Sequence, residues 1–259
     1  MPTAVISDIH GNAAALRAVL ADIDSKKVDR VICLGDIVGY GPEPLECVDL
    51  VAKRCEWSLM GNHDFGVLYE PTNFNPGAEA AAYWTRNAFD AEPDDAARAR
   101  RYEFLGKLRV RVMYQHDGVE RPILAVHGSP RRPINEYIFP DDVLNASEKL
   151  RLIFSQVDHL AVVGHTHVPG VFTDEPDFYP PDEIGDGCVY KFMDGEKAII
   201  NVGSVGQPRD HDPRASYAVL YDDRIEFFRV DYDIDETARK IKQIPELNDW
   251  LADRLYEGR

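Results

Sequence analysis

Asp8, His10, Asp36, Asn62, His127, His165 and His167 are side chains able to ligate a divalent cation, and they stand at the ends of five short apolar runs. Those runs are Ala4–Ile6, Val31–Leu34, Trp57–Met60, Ile123–Val126 and Leu160–Val163. Imidazole, carboxylate and amide oxygen without thiolate suit manganese, iron, zinc, nickel or cobalt. Asp8 and His10 are two positions apart, as are His165 and His167. In extended backbone such pairs point the same way, so each could offer two donors to one place. Gly11, Gly35, Gly61, Gly128 and Gly164 lie beside these groups, where a missing Cβ permits close backbone approach. A lone Asp-x-His is more often a surface turn than a ligand pair. Here five of the eight histidines fall in the clusters, and a shared purpose accounts for all of them together.

The positioning elements follow from the same runs. Short apolar stretches alternate with helical patterns, which predicts an α/β fold with crossover helices. Asp8 to Asp36 is 28 residues and Asp36 to Asn62 is 26, about the ~30 of a β-α-β unit, so these three clusters are expected on one edge of one sheet. Asn12 is placed to cap the first helix, whose apolar face is Leu16, Val19, Leu20 and Ile23. From about 65 to 115 the pattern reads as a helical excursion, opened by Asn75-Pro76 and again by Pro93-Asp94-Asp95. Thr173 to Gly187 reads as a loop. Val189–Met193 and Lys197–Val202 flank Asp194-Gly195 and predict a hairpin; Tyr217–Tyr221 and Ile225–Val230 predict another. The tail from Glu236 reads as helical and mostly solvated.

Composition narrows the function. The 259 residues carry 45 acidic and 29 basic side chains, a net charge of −16, which disfavours nucleic-acid polymers and anionic membranes as partners. So many carboxylates would repel an anionic substrate unless cations intervened. No run approaches the ~18 apolar residues of a membrane span, and the first strand leaves no room for a signal peptide, so the cytoplasm is the expected compartment. Cys33, Cys47, Cys55 and Cys188 form neither a C-x-x-C pair nor a disulfide ladder. None has an arginine six positions on, and no G-x-S-x-G, H-E-x-x-H or Walker A sequence is present, so no protein nucleophile is evident.

Taken in order, Asp8-Ile9-His10, Gly35-Asp36, Gly61-Asn62-His63-Asp64, His127 and Gly164-His165-Thr166-His167 resemble the motif series of the calcineurin-like metallophosphoesterases. The run Asn201-Val202-Gly203-Ser204-Val205-Gly206-Gln207-Pro208-Arg209 is similar to the prokaryotic phosphodiesterase-like branch. The resemblance implies a four-layer α-β-β-α sandwich with two mixed sheets, built as a single domain over 1–259. It implies two divalent transition-metal ions, manganese among the candidates, with Asp8, His10, Asp36 and His167 on one and Asp36, Asn62, His127 and His165 on the other. Such a pair, ~3.5–4 Å apart, can clamp a phosphoryl group for in-line attack by an activated water. His63 resembles the family histidine that protonates the leaving group or steadies the transition state, and Asp64 is placed to orient it. Asn12 and Arg209 are candidates for phosphate contact. Arg131 and Arg132 read as a solvated pair, His159 and His211 as surface residues and His116 as a loop residue.

The activity implied is hydrolysis of a phosphodiester, with a small phosphate ester or a nucleotide as substrate. One alternative is a phosphomonoesterase, a protein or small-molecule phosphatase. Against it, Ile37-Val38-Gly39-Tyr40 follows Asp36, without the Asp and Arg of the protein-phosphatase motif. A second alternative is a non-catalytic binding scaffold on the same fold, which would have no need of all seven ligands.

Overall fold

The computed structural model describes residues 1–185, 187–193 and 195–259. The first three apolar runs form β1 (Thr3–Ile6), β2 (Arg30–Cys33) and β3 (Trp57–Ser58), parallel neighbours joined by α1 (Ala13–Ser25) and α2 (Pro44–Arg54). Three helices follow, α3 (Asn62–Leu68), α4 (Pro76–Asp90) and α5 (Asp95–Gly106). The chain then enters a second sheet through β4 (Arg111–Tyr114) and β5 (Ile123–Val126). Helices α6 (Asp142–Asn145) and α7 (Ser147–Phe154) lead on to β6 (Leu160–Val163). After these come β7 (Gly170–Thr173), β8 (Asp177–Tyr179), β9 (Val189–Lys191), β10 (Ala198–Asn201), β11 (Ala215–Leu220) and β12 (Arg224–Val230). Last are α8 (Ile234–Lys242) and α9 (Trp250–Asp253).

The strands make two mixed sheets, ordered β3-β2-β1-β11-β12-β9 and β4-β5-β6-β10-β7-β8. The period-two alternation of a strand sorts their side chains into layers. Val5, Ile32, Leu34 and Ala218 meet Ala125, Val162 and Ile200 between the sheets. Ala4, Ile6, Val31, Cys33 and Tyr217 point the other way, onto α1 and α2. On the far side, Val126, Ala161 and Ile199 pack against Leu150, Ile153 and Phe154 of α7. Helix, sheet, sheet and helix are the four layers expected. Asn12, Asn75 and Asp94 cap α1, α4 and α5 through their side-chain oxygens.

Four expectations change. The helical excursion ends at Gly106, and β4 is an edge strand paired with β5, too short and too exposed at Arg111 and Met113 to stand out in the sequence. The stretch expected as a loop holds β8 and part of a β7–β8 hairpin. The predicted hairpin around 194 is not formed: β9 pairs with β12 in the first sheet, whereas β10 lies between β6 and β7 in the second. Its four residues are buried on both faces, as a central strand requires, and one hairpin partner could not supply two neighbours. Asp194 lies outside the described residues. The hairpin of β11 and β12 does form. Finally, the tail is not mostly solvated. Ala238, Ile241, Leu247, Leu251, Ala252 and Leu255 pack with Tyr40 and with Ala78 and Ala81 of α4. Among the described residues no helix is long and apolar enough to cross a membrane.

Candidate metal centre

The carboxyl ends of β1, β2 and β3 in one sheet and of β5 and β6 in the other open onto the same edge, where all seven sequence-predicted ligands come together. They do not sit in extended backbone. Asp8 (φ 53°), His10 (φ 49°), Asp36 (φ 53°), His165 (φ 69°) and His167 (φ 62°) are left-handed. The shared direction of each i, i+2 pair therefore comes from tight turns past the strand end, not from the pleat. These turns are zipped by backbone: the N–H groups of Ile9 and His10 donate to the Asp36 carbonyl at 2.8 and 2.9 Å, and that of Asp8 donates to Gly35 at 3.0 Å. Two glycines are required by close approach. A Cβ at Gly61 would overlap the Asp36 carboxylate, and one at Gly164 the Asp8 carboxylate.

The donor separations test whether a cation fits. Ligands held at about 2.1 Å from one ion lie roughly 3 Å apart at a right angle and no more than about 4.2 Å apart when opposite. His10 Nε2 is 3.0 Å from His167 Nε2 and 3.9 Å from Asp8 Oδ1, and His167 Nε2 is 3.3 Å from that oxygen. His127 Nε2 is 3.2 Å from His165 Nδ1, 3.3 Å from Asn62 Oδ1 and 3.3 Å from Asp36 Oδ2. Asp36 Oδ2 also lies 3.7 Å from His10 Nε2, so one oxygen borders both groups, while Oδ1 accepts the His63 N–H at 2.8 Å.

Second partners fix which nitrogens point inward. The Nδ1 atoms of His10, His127 and His167 face the carbonyls of Val38, Leu34 and Gln207 at 3.3, 3.0 and 2.6 Å. With Nδ1–H donating there, the Nε2 atoms of His10 and His167 turn lone pairs toward each other at 3.0 Å. A cation held by both would relieve that repulsion. The residues fit a metal.

The charges agree. Burial pulls His127 down, but the Asp36 carboxylate beside it and then Asp8 outweigh burial and raise it to about 9. Burial and neighbouring His167 hold His10 low, and burial with His127 takes His165 to about 3. Asp8 and Asp36 are held below the usual carboxylate range, the surrounding histidines overcoming burial. Without metal, a proton on His127 takes the cation's place. Since that pKa is raised, the proton stays bound through neutral pH and must leave when a metal enters. Metal uptake is therefore expected to release about one proton per chain below pH 9, with apparent affinity rising with pH and levelling above about 9. Calorimetric titration in two buffers of different ionisation enthalpy measures the release. Zero release at pH 7.5 would remove Asp36 and His127 as the binding pair.

The other predicted residues divide. His63 enters the centre from the first turn of α3, its ring 4.8 Å from that of His10, 4.4 Å from Tyr40 and 4.6 Å from Phe74. Its Nδ1 is buried without a partner, and burial outweighs Asp36 to bring it down to about 4. It is near enough to His10 and Asp36 to form a third group of potential donors. Asp64 does not orient it. Its carboxylate accepts the N–H groups of Asp36, Ile37, Val38 and Gly61 at 2.8, 2.9, 3.2 and 3.0 Å, stapling the β2 loop to α3. Burial and the charge of Asp36 push it up to about 7 against those donors. Asn12 does not face substrate either. Its Oδ1 accepts from Ala15 N–H and the Thr237 hydroxyl, and its Nδ2 donates to Gly206 O, so capping consumes it.

Arg209 does reach the centre, with its guanidinium 5.9 Å above the Tyr40 ring, Nη2 donating to Gln207 Oε1 at 2.8 Å and Nε unpartnered. Arg131 is tied to Glu136, whereas Arg132 is exposed on the cleft wall. His211 is exposed, and His116 is buried in its loop.

Several contributors escaped the sequence reading. Asn201 donates to Gly164 O and Thr166 Oγ1, both at 2.7 Å, and Ser204 Oγ donates to Asp8 O at 2.8 Å. Tyr137 stacks on His165 at 3.8 Å. Arg254, in the C-terminal segment, shares Gln207 Oε1 with Arg209 at 3.0 Å. The polar residues of the 201–209 run were the available signal for the first two; nothing near Tyr137 or Arg254 in sequence announces them.

Two mixed sheets with imidazoles and carboxylates gathered on their shared edge define a metallophosphoesterase. The chain belongs to the calcineurin-like phosphoesterase family, whose model matches residues 1–169, and it is a phosphoric ester hydrolase of a metal-dependent kind. It is similar to an uncharacterized protein of Methanocaldococcus jannaschii, 39% identical across 99% of this chain and 98% of that one. Among solved structures it is similar to a metallophosphoesterase from Sphaerobacter thermophilus, with TM-score 0.81 and 38% identity over the whole of both chains. A hypothetical protein from Pyrococcus horikoshii OT3 shares the fold, with TM-score 0.77 and 20% identity over 100% of this chain and 98% of that one. The family, fold and hydrolase class implied by the motif series are borne out.

Proposed function

We propose that the chain works as one domain over residues 1–259, a dinuclear metal-dependent phosphodiesterase acting on a small phosphate ester or a nucleotide. The observation that supports this is Asp36 Oδ2, which lies 3.7 Å from His10 Nε2 and 3.3 Å from His127 Nε2 and so borders both donor groups. Asp8, His10, Asp36 and His167 would hold one ion, and Asp36, Asn62, His127 and His165 the other. When bound, the ions would supply positive charge to the phosphoryl oxygens and lower the pKa of water toward neutrality. The carboxylate and amide-oxygen donors suit manganese, one of several candidate ions.

The chain's own residues do the rest. His63, neutral at pH 7, offers an N–H toward the reacting oxygens and excludes water with Tyr40 and Phe74. Arg209 offers a guanidinium to a non-bridging oxygen. Asp64 keeps Asp36 in place by holding the backbone on both sides of it. The participation of Gln207, Thr237 and Arg254 supports reading the C-terminal segment as part of the same unit. Four free cysteines fit a reducing compartment such as the cytoplasm.

Protein reconstituted with manganese tests the reading. Two ions per chain are expected, with kcat/KM for an aryl phosphodiester at least about tenfold above that for the matching monoester, a margin of ~1.4 kcal/mol. Saturation at one ion would overturn the dinuclear centre, and a monoester preference would overturn the diesterase.

A further inference from the structure

Directly beside Asn62 and His165 opens a cavity of about 370 Å³, within the ~300–1,000 Å³ of small-molecule sites. Two aromatic walls bound it, and each is seated on a histidine of the centre: Phe74 on His63 at 4.6 Å and Tyr137 on His165 at 3.8 Å. Anything between those walls is therefore within reach of a phosphoryl group held at the metals. Val110 and Tyr137, 42% and 39% exposed, leave apolar surface uncovered against this space. The amides of Asn73 and Asn135 add paired donors and acceptors to a lining that also presents Phe65, Pro133 and Ile134. Its two charges, Glu70 and Arg132, are both exposed and opposite in sign, so the cavity has no net charge to offer. On the other side of the centre the character reverses: Arg209 and Arg254 share Gln207 Oε1, Arg254 Nε also donates to Arg259 O, and among the described residues no carboxylate pairs with Arg209.

We propose that this cavity binds the organic group of the substrate, an uncharged planar aromatic with a hydrogen-bonding edge, of nucleobase size, while the Arg209 side receives the anionic end. The proposal rests on the phosphodiesterase reading for its phosphoryl position. Apolar rings would cover Val110 and the Tyr137 edge, and the asparagine amides would read the polar rim of the base. A methyl ester would leave the cavity to water.

The experiment is calorimetric titration of the manganese-loaded protein with adenosine 5′-monophosphate and with methyl phosphate, which present the same phosphoryl group and charge. The nucleotide is expected to bind about fiftyfold tighter, the factor given by covering roughly 100 Å² of apolar surface. Val110→Asp, on an exposed position away from the histidines, should shrink that ratio at least fivefold. Equal binding of the two phosphates by the wild-type protein overturns the proposal. An undiminished ratio in Val110→Asp together with Asn135→Ala overturns it too, because the base would then sit elsewhere. A nucleotide preference in protein that hydrolyses no diester would support the cavity and overturn the diesterase reading, so the two fail separately.

Discussion

Asp36→Asn is expected to abolish the paired metal centre and to cost more than about a thousandfold in turnover, beyond the ~10²–10³ typical of removing one preorganised group. The amide keeps the shape of the carboxylate and can still accept the His63 N–H through one oxygen, so the fold has no reason to change. What disappears is the charge of the oxygen bordering both His10 and His127. A second readout needs neither metal nor substrate. His127 stands at about 9 because Asp36 and then Asp8 together outweigh burial; with Asp36 neutral its largest carboxylate support is gone, and the His127 pKa should fall from there. Titration of the metal-free variant by NMR would follow that imidazole directly. Near-normal turnover with two ions retained would remove Asp36 from the bridging position.

His63→Ala is expected to keep both ions yet lose about 10²–10³ in kcat, roughly 3–4 kcal/mol at ~1.4 kcal/mol per tenfold. The motif alone left two roles open, a group that steadies the transition state and a proton donor, whose loss would fall hardest on a poor alkyl leaving group. Burial at about 4 makes the imidazolium scarce at pH 7, and two bound cations would make it scarcer. A neutral ring would act by hydrogen bond, so the defect should be equal for alkyl and nitrophenyl esters. Measuring both esters and the metal content of the variant separates the cases. A loss confined to the alkyl ester would restore proton transfer, and lost metal would make His63 a ligand, as its closeness to His10 and Asp36 permits.

Much of the candidate site could be read from the chain because its potential ligands come at strand ends, where an apolar run stops and a polar cluster begins. β1, β2 and β3 are local in sequence, and their spacing placed Asp8, Asp36 and Asn62 on one edge. Sequence says less about contacts made at long range. Asn12 was expected as a cap and offered as a phosphate contact as well, yet its remaining bonds go to Thr237 and Gly206, 225 and 194 residues away. Asp64 looked like a partner for His63 because adjacency is visible and four backbone donors are not. The hairpin expected around 194 failed for a related reason: turn chemistry is local, but which sheet a strand joins depends on neighbours elsewhere. The charged C-terminal tail hid a narrow apolar stripe that only a facing helix reveals.

Five of the seven candidate ligand positions hold left-handed backbone with side chains heavier than glycine. At ~1–2 kcal/mol each, that is roughly 5–10 kcal/mol, as large as the ~5–15 kcal/mol by which a whole domain is stable. Glycine at Asp8, His10, Asp36, His165 and His167 would relieve that strain, at the cost of buried cavities and of the backbone donors that Asp8 and Asp36 now accept, and would erase the side chains those turns present. A descendant of this chain freed from catalysis would thus have room to change first at these five turns, where backbone strain is concentrated.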